Sequence, residues 1–160
     1  MIIFVATSIY VPKLFAPQPQ YNFLYVDGSG YYTGYGGQYA IRDGKLLKTE
    51  VKPMPKDIAA SYVAPPYEEQ LFIYNVKTDQ SVQISFQEAQ KMQLDSSTKS
   101  PDGFEVIYGN GNGGIFPLFF GGYNSYDYNA RYLKGHTTTK KLNLSPSTYY
   151  NNFRFLGWIK

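Results

Sequence analysis

Turn-forming dipeptides divide this chain into short pieces, and no other feature constrains its fold as much. Asp27-Gly28, Asp43-Gly44, Thr78-Asp79, Asp102-Gly103 and Lys134-Gly135 each interrupt short runs rich in Tyr, Phe, Val and Ile. Runs of about four to eight such residues have the length and composition of strands rather than helices. The chain holds 15 glycines and 10 prolines in 160 residues, as many short strands joined by tight turns require. Its length fits a single domain that can bury its own core without staples.

The pieces order themselves along the chain. Tyr21–Val26 reads as a first strand, turned by Asp27-Gly28-Ser29-Gly30. Gln38–Val51 reads as a hairpin about Asp43-Gly44, the dipeptide suited to a type I′ turn, with Ile41 facing Leu46. Four prolines between Lys52 and Pro66 mark a connector. Leu71–Val76 and Ser81–Ser85 predict a second hairpin, and Ala130–Leu133 with Lys140–Leu144 a third. Ser100-Pro101-Asp102-Gly103 fits a type I turn that launches a strand over Phe104–Tyr108. Phe153–Ile159 closes the chain as an apolar strand.

One helix is expected, over Phe86–Leu94. Ser85 stands as its N-cap with Glu88 three residues on, a capping box, and Phe86, Ala89 and Met92 recur at helical spacing to form its buried stripe. The predicted core joins Phe72, Tyr74, Ile84, Phe104, Val106, Phe155 and Trp158.

Residues 1–11 carry no charge and precede Ala16-Pro17-Gln18-Pro19. Eleven residues fall short of the roughly 20 that span a bilayer. The reading adopted is the end of a membrane anchor followed by a proline-rich spacer, with a short secretory signal or a first strand as the alternatives. Residues 1–20 are therefore set apart from a β domain over 21–160, and a membrane-anchored extracytoplasmic, or secreted, location is expected.

The chemistry in the sequence is sparse. There is no cysteine, which excludes disulfides, thiolate metal sites and cysteine nucleophiles, and His136 is the only histidine. No cofactor, metal site or catalytic residue is assigned. Asn110 and Asn112 match no calcium-loop spacing. Glu68, Glu69, Asp95, Asp102 and Glu105 are the acids from which a glycosidase pair would be drawn, with Asp102 better explained by its turn and Glu68-Glu69 by a solvated strand entry. Residues 1–127 carry 9 basic and 12 acidic side chains, whereas residues 128–160 carry 6 basic and none acidic. Those basic residues are scattered rather than clustered, which disfavours nucleic acid as a partner.

Tyrosine supplies 17 residues. Tyr31, Tyr32 and Tyr35 in one glycine-rich segment, and Tyr123, Tyr126 and Tyr128 in another, are the candidate binding residues, with Arg131 and Lys134 close behind. Tyrosines on glycine-flanked backbone bury area at low entropic cost, as glycan- and protein-binding surfaces do. Each segment precedes a predicted hairpin, and with the hairpins in equivalent places of a repeated sheet the two segments are expected at the same end of the domain.

Phe72-Ile73-Tyr74-Asn75-Val76-Lys77-Thr78-Asp79, then Val82-Gln83-Ile84-Ser85, then Ser100-Pro101-Asp102-Gly103-Phe104 together resemble one blade of the TolB-like (WD40-like) β-propeller repeat, covering residues 71–108. Asp79 replaces the usual turn glycine, and the helix after Ser85 is an insertion. A complete propeller takes at least four four-stranded blades of about 40 residues, more strands than this chain supplies. The expected fold is therefore all-β, an antiparallel meander or blade-like open sheet with one inserted short helix and not a closed propeller. The expected role is a non-catalytic binding or scaffold domain with protein or envelope glycan as partner. A small glycan-active hydrolase using paired carboxylates is the alternative.

Overall fold

The computed structural model describes residues 17–28, 38–49, 69–109, 130–136, 138–144 and 153–160. They form three antiparallel sheets and one short helix, and among the described residues no sheet closes into a barrel or propeller. The central sheet has the order β5-β4-β1-β10-β6, from β1 (Phe23–Asp27), β4 (Gln70–Asn75), β5 (Gln80–Ile84), β6 (Leu94–Asp95) and β10 (Arg154–Ile159). A two-stranded sheet pairs β2 (Tyr39–Arg42) with β3 (Lys45–Lys48). A three-stranded sheet has the order β7 (Glu105–Tyr108), β8 (Arg131–Lys134), β9 (Thr139–Lys141). The helix is α1 (Phe86–Gln90).

The central sheet is covered on both faces, and β1 at its middle is buried at all five positions. Period-two alternation sorts its side chains. Phe23 and Tyr25 point to one face, with Phe72 and Tyr74 of β4 and Trp158 of β10, and there they meet Phe104, Leu133 and Leu142 from the three-stranded sheet and its flanks. Leu24 and Val26 point to the other face, with Leu71 and Leu156, and meet Tyr39, Leu46, Ala89 and Leu94 from the hairpin, the helix and β6. The first face is a stack of rings: Phe23 lies 4.9 Å from Tyr74 and 5.6 Å from Trp158, and Tyr25 lies 5.3 Å from Phe72. A large aromatic side chain removes roughly 200 Å² from water, on the order of 5 kcal/mol before entropy is subtracted.

A bulge lets two aromatics of β10 share that face. Leu24 pairs with Gly157 but Tyr25 pairs with Phe155, so Leu156 is an extra residue in the ladder. Without it, Phe155 and Trp158, three positions apart, would point to opposite faces. Gly157 is required at the bulge, because a Cβ there would meet the Asp95 carbonyl oxygen at 2.5 Å and Ile41 Cδ1 at 2.7 Å.

The turns follow their chemistry. Asp43 and Gly44 both take positive φ, 51° and 73°, in the tight β2–β3 turn, and Ile41 faces Leu46 across it. In the β4–β5 turn, Asn75 Oδ1 accepts from the Lys77 and Thr78 N–H groups, and Asp79 takes the left-handed conformation at φ 58°. The Ser100–Gly103 turn closes with the Gly103 N–H on the Ser100 carbonyl at 2.9 Å.

Three expectations need correction. The helix has its full capping box, with Ser85 and Glu88 bonding reciprocally, but ends at Gln90 instead of reaching Leu94. The Lys91 and Met92 N–H groups tighten onto carbonyls three residues back, and Leu94 is drawn into tertiary pairing with Ile159 and with the Gly44 carbonyl. Ile84 was expected in the core with Trp158, but it faces Leu71 across the ladder and therefore packs on the aliphatic face. The three hairpins lie in three different sheets and so do not occupy equivalent places in one repeated sheet.

Candidate functional site

The six candidate tyrosines, Tyr31, Tyr32, Tyr35, Tyr123, Tyr126 and Tyr128, lie outside the described residues. The nearest described residues on either side are Gly28 and Gln38 for the first segment and Gly109 and Ala130 for the second. Asp27 and Gly28, ahead of the first segment, close β1 at the end where Val26 pairs with Arg154 and Asp27 with Gln70. Gln38, behind it, donates its backbone N–H to Glu69 Oε2 at 2.7 Å, next to the start of β4. Gly109 and Ala130, flanking the second segment, are joined by a backbone hydrogen bond beyond the Tyr108–Arg131 pair. The rings tie both sets of flanks together, since Phe153, just before β10, lies 5.1 Å from Tyr25 and 5.9 Å from Tyr108. The described residues on either side of the two undescribed stretches, Gly28 and Gln38 for one and Gly109 and Ala130 for the other, thus lie at one end of the fold, through the antiparallel register of β1, β4 and β10.

Charged side chains are buried at this same end. Arg131 is buried, with its guanidinium 4.4 Å above the Tyr108 ring and 5.4 Å from that of Phe153, and its Nη1 donates to the Ala130 carbonyl. Arginine held between two rings orders both of them. Arg131 therefore supports the surface and does not reach out from it. Lys134, three residues on, is exposed and stands directly opposite Glu105 in the ladder. Tyr108 itself is 56% exposed.

On the aliphatic face of this end, Glu69 is buried and held by Arg154, whose Nη2 donates to both carboxylate oxygens at 3.2 Å, while Nη1 donates to the Tyr39 carbonyl at 3.0 Å. The expectation of a solvated Glu69 is overturned. Its charge fastens the start of the β2–β3 hairpin onto the central sheet. Asp27 is buried as well.

The other acids considered for chemistry also have partners. Asp102 accepts from the Gln20 N–H at 2.8 Å and from Ser100 Oγ. Asp95 accepts from Ser97, through both hydroxyl and backbone N–H, and pairs with Lys160 at 3.0 Å; these bonds hold it down to about 2. At the opposite end of β4, burial pushes the Tyr74 hydroxyl above its ordinary range, reinforced by the hydrogen bond it donates to Asp79. Burial acts to raise Asp79, but the Tyr74 and Lys140 contacts outweigh it and hold the carboxyl below its usual value. His136 is exposed. Among the described residues no three His, Cys, Asp or Glu side chains converge as a metal site, and no helix is long and apolar enough to cross a membrane. An open groove of about 520 Å³ between β3 and α1, lined by Lys45, Leu46, Leu47, Gln87, Gln90 and Lys91, lies apart from the tyrosine end.

Sequence reasoning missed Tyr108, Phe153 and Arg154, and named Glu69 only as a solvated acid. Tyr108 carried a signal, as the last strand residue before Gly109-Asn110-Gly111. The Glu69–Arg154 pair, 85 residues apart, carried none. Comparison with family models, with curated proteins and with solved structures found no match.

Proposed function

We propose that this chain is a non-catalytic binding or scaffold domain, displayed outside a membrane through its N-terminal segment, which takes a protein or envelope glycan at the end carrying Tyr108. The observation that carries the reading is the meeting of an exposed tyrosine, supported by Arg131 and Phe153, with the flanks of both tyrosine- and glycine-rich segments. Aromatic rings on glycine-flanked backbone stack on sugar rings and adapt to protein surfaces. The polarity of β1 adds support. Gln20, at the end of the proline-rich spacer, is bonded to Asp102 ahead of Phe23, and Asp27 lies at the tyrosine end. A tether through residues 1–20 therefore holds the tyrosine end away from its attachment point. The resemblance of residues 71–108 to a TolB-like blade belongs to the same reading, with its pieces in two sheets.

The test is co-sedimentation with purified envelope glycan, alongside capture of protein partners by photo-crosslinking from position 108. Tyr108→Ala should weaken binding about tenfold, near 1.4 kcal/mol, with the fold intact. Replacing Tyr123, Tyr126 and Tyr128 together by alanine should weaken it further. Binding of all these variants at the wild-type level would contradict the proposal.

A further inference from the structure

Edge strands expose unpaired backbone N–H and C=O groups, and proteins ordinarily guard them with charges, prolines or brevity. Among the described residues, β2, β3, β6 and β9 each have a single ladder neighbour, and each carries charge: Arg42, Lys45 with Lys48, Asp95, and Lys140 with Lys141; Glu105 of β7 also bridges to Lys99. The strand β5 differs. Its five residues, Gln80-Ser81-Val82-Gln83-Ile84, hold no charge and no proline, and its register with β4 runs without a bulge. Among the described residues β4 is its one ladder neighbour. At its centre Val82 is 57% exposed.

We infer that β5 is a self-pairing edge, on which a second copy of this chain docks antiparallel about a two-fold axis at Val82. The sequence of the strand favours a second copy as the occupant. In that register Val82 faces Val82 of the other copy, Ser81 faces Gln83 and Gln80 faces Ile84, so apolar groups meet at the centre and no like charges oppose one another. The edge β3 differs, because a two-fold register centred on Lys45 or Lys48 sets lysine against lysine, and one centred on Leu46 or Leu47 sets lysine against leucine. The paired strands join two central sheets into one of ten strands, with the tyrosine ends pointing in opposite directions. One five-residue strand pair buries less than the roughly 1,200–2,000 Å² of stable interfaces, so the association is weak and concentration-dependent. This inference rests on the edge alone and stands apart from the partner proposed above.

The absence of cysteine makes the test direct. Opposed Cα atoms in an antiparallel pair lie about 4.5–5.5 Å apart, within disulfide range. Under mild oxidation of the full chain, Val82→Cys should form a covalent dimer at least tenfold faster than Leu47→Cys, a second exposed apolar position. Ser81→Cys should cross-link with Gln83→Cys but not with itself. In sedimentation velocity the wild type should shift towards dimer as concentration rises, and Val82→Lys, folded by circular dichroism, should remain monomeric. Equal cross-linking at positions 82 and 47, or a wild type that stays monomeric at every concentration, would overturn the inference.

Discussion

The two faces of the central sheet are built from different materials. One is a continuous stack of rings, with Phe23, Tyr25, Phe72, Tyr74 and Trp158 meeting across three adjacent strands under the β7-β8-β9 sheet. The other is aliphatic, with Leu24, Val26, Leu71 and Leu156 under a hairpin and a single helical turn. Aromatic pairs have preferred contact geometries, whereas contacts between aliphatic side chains are non-directional. The aliphatic face accordingly depends on polar fastening, the Glu69–Arg154 pair and its bonds to Gln38 and Tyr39, to place its small cover. Ring packing dominates the aromatic face, with buried Arg131 over Tyr108 and Phe153 at its end, whereas the Glu69–Arg154 ion pair fastens the edge of the aliphatic one.

The largest expected effect sharpens that contrast. Trp158→Ala removes the ring at the centre of the stack and should cost about 3–5 kcal/mol in denaturant unfolding, more than Leu24→Ala on the opposite side of the same ladder. A larger loss for Leu24→Ala would break the comparison. Next comes Glu69→Ala, which strands the Arg154 guanidinium and the Gln38 N–H. About 2 kcal/mol is expected, with amide exchange rising at Gln38–Thr49 and unchanged at Phe104–Tyr108. Equal acceleration in both regions would mean that the pair stabilises the whole molecule and does not fasten the hairpin.

The smallest effect concerns acid. Asp79 is held below its ordinary value, so the folded state binds its proton less readily than the unfolded state does. Its contribution is complete above the unfolded aspartate value of about 3.9 and fades as pH falls towards the lower folded one. It should stay under about 1 kcal/mol, because Asp79 and Lys140 are both partly exposed. Asp79→Asn should flatten the stability curve below about pH 4 and leave its slope at neutral pH unchanged. A variant whose acid limb matches the wild type would remove Asp79 from the cross-sheet contact.

Much of the fold was legible because it rests on local chemistry. The Asp43-Gly44 turn, the Ser85 capping box and the Ser100–Gly103 turn each need only a few neighbouring residues, and all three form. The burial of Trp158 followed from its place in an apolar run. Long-range pairing was not legible. The bulge at Leu156, which decides the face that Phe155 and Trp158 share, is set by the partner strand β1 about 130 residues earlier, and the early end of the helix by pairing of Leu94 with Ile159. The site was readable only in outline. Tyrosine and glycine density marked the two segments, but the common end of the described residues around them follows from strand register, and the burial of Arg131 from rings contributed by β7 and by Phe153 just before β10.

The central claim is that partners engage the end where Tyr108, Arg131 and Phe153 meet. An amide NMR titration of the isotope-labelled chain with soluble envelope glycan fragments, and then with any captured protein, tests it most directly. The account predicts saturable shifts concentrated at Gly28, Gln38, Tyr108, Gly109, Ala130 and Arg131, and absent at Gln20, Asp102 and Lys160. Shifts centred on the Gln20–Asp102 end, or spread evenly over the fold, would contradict it.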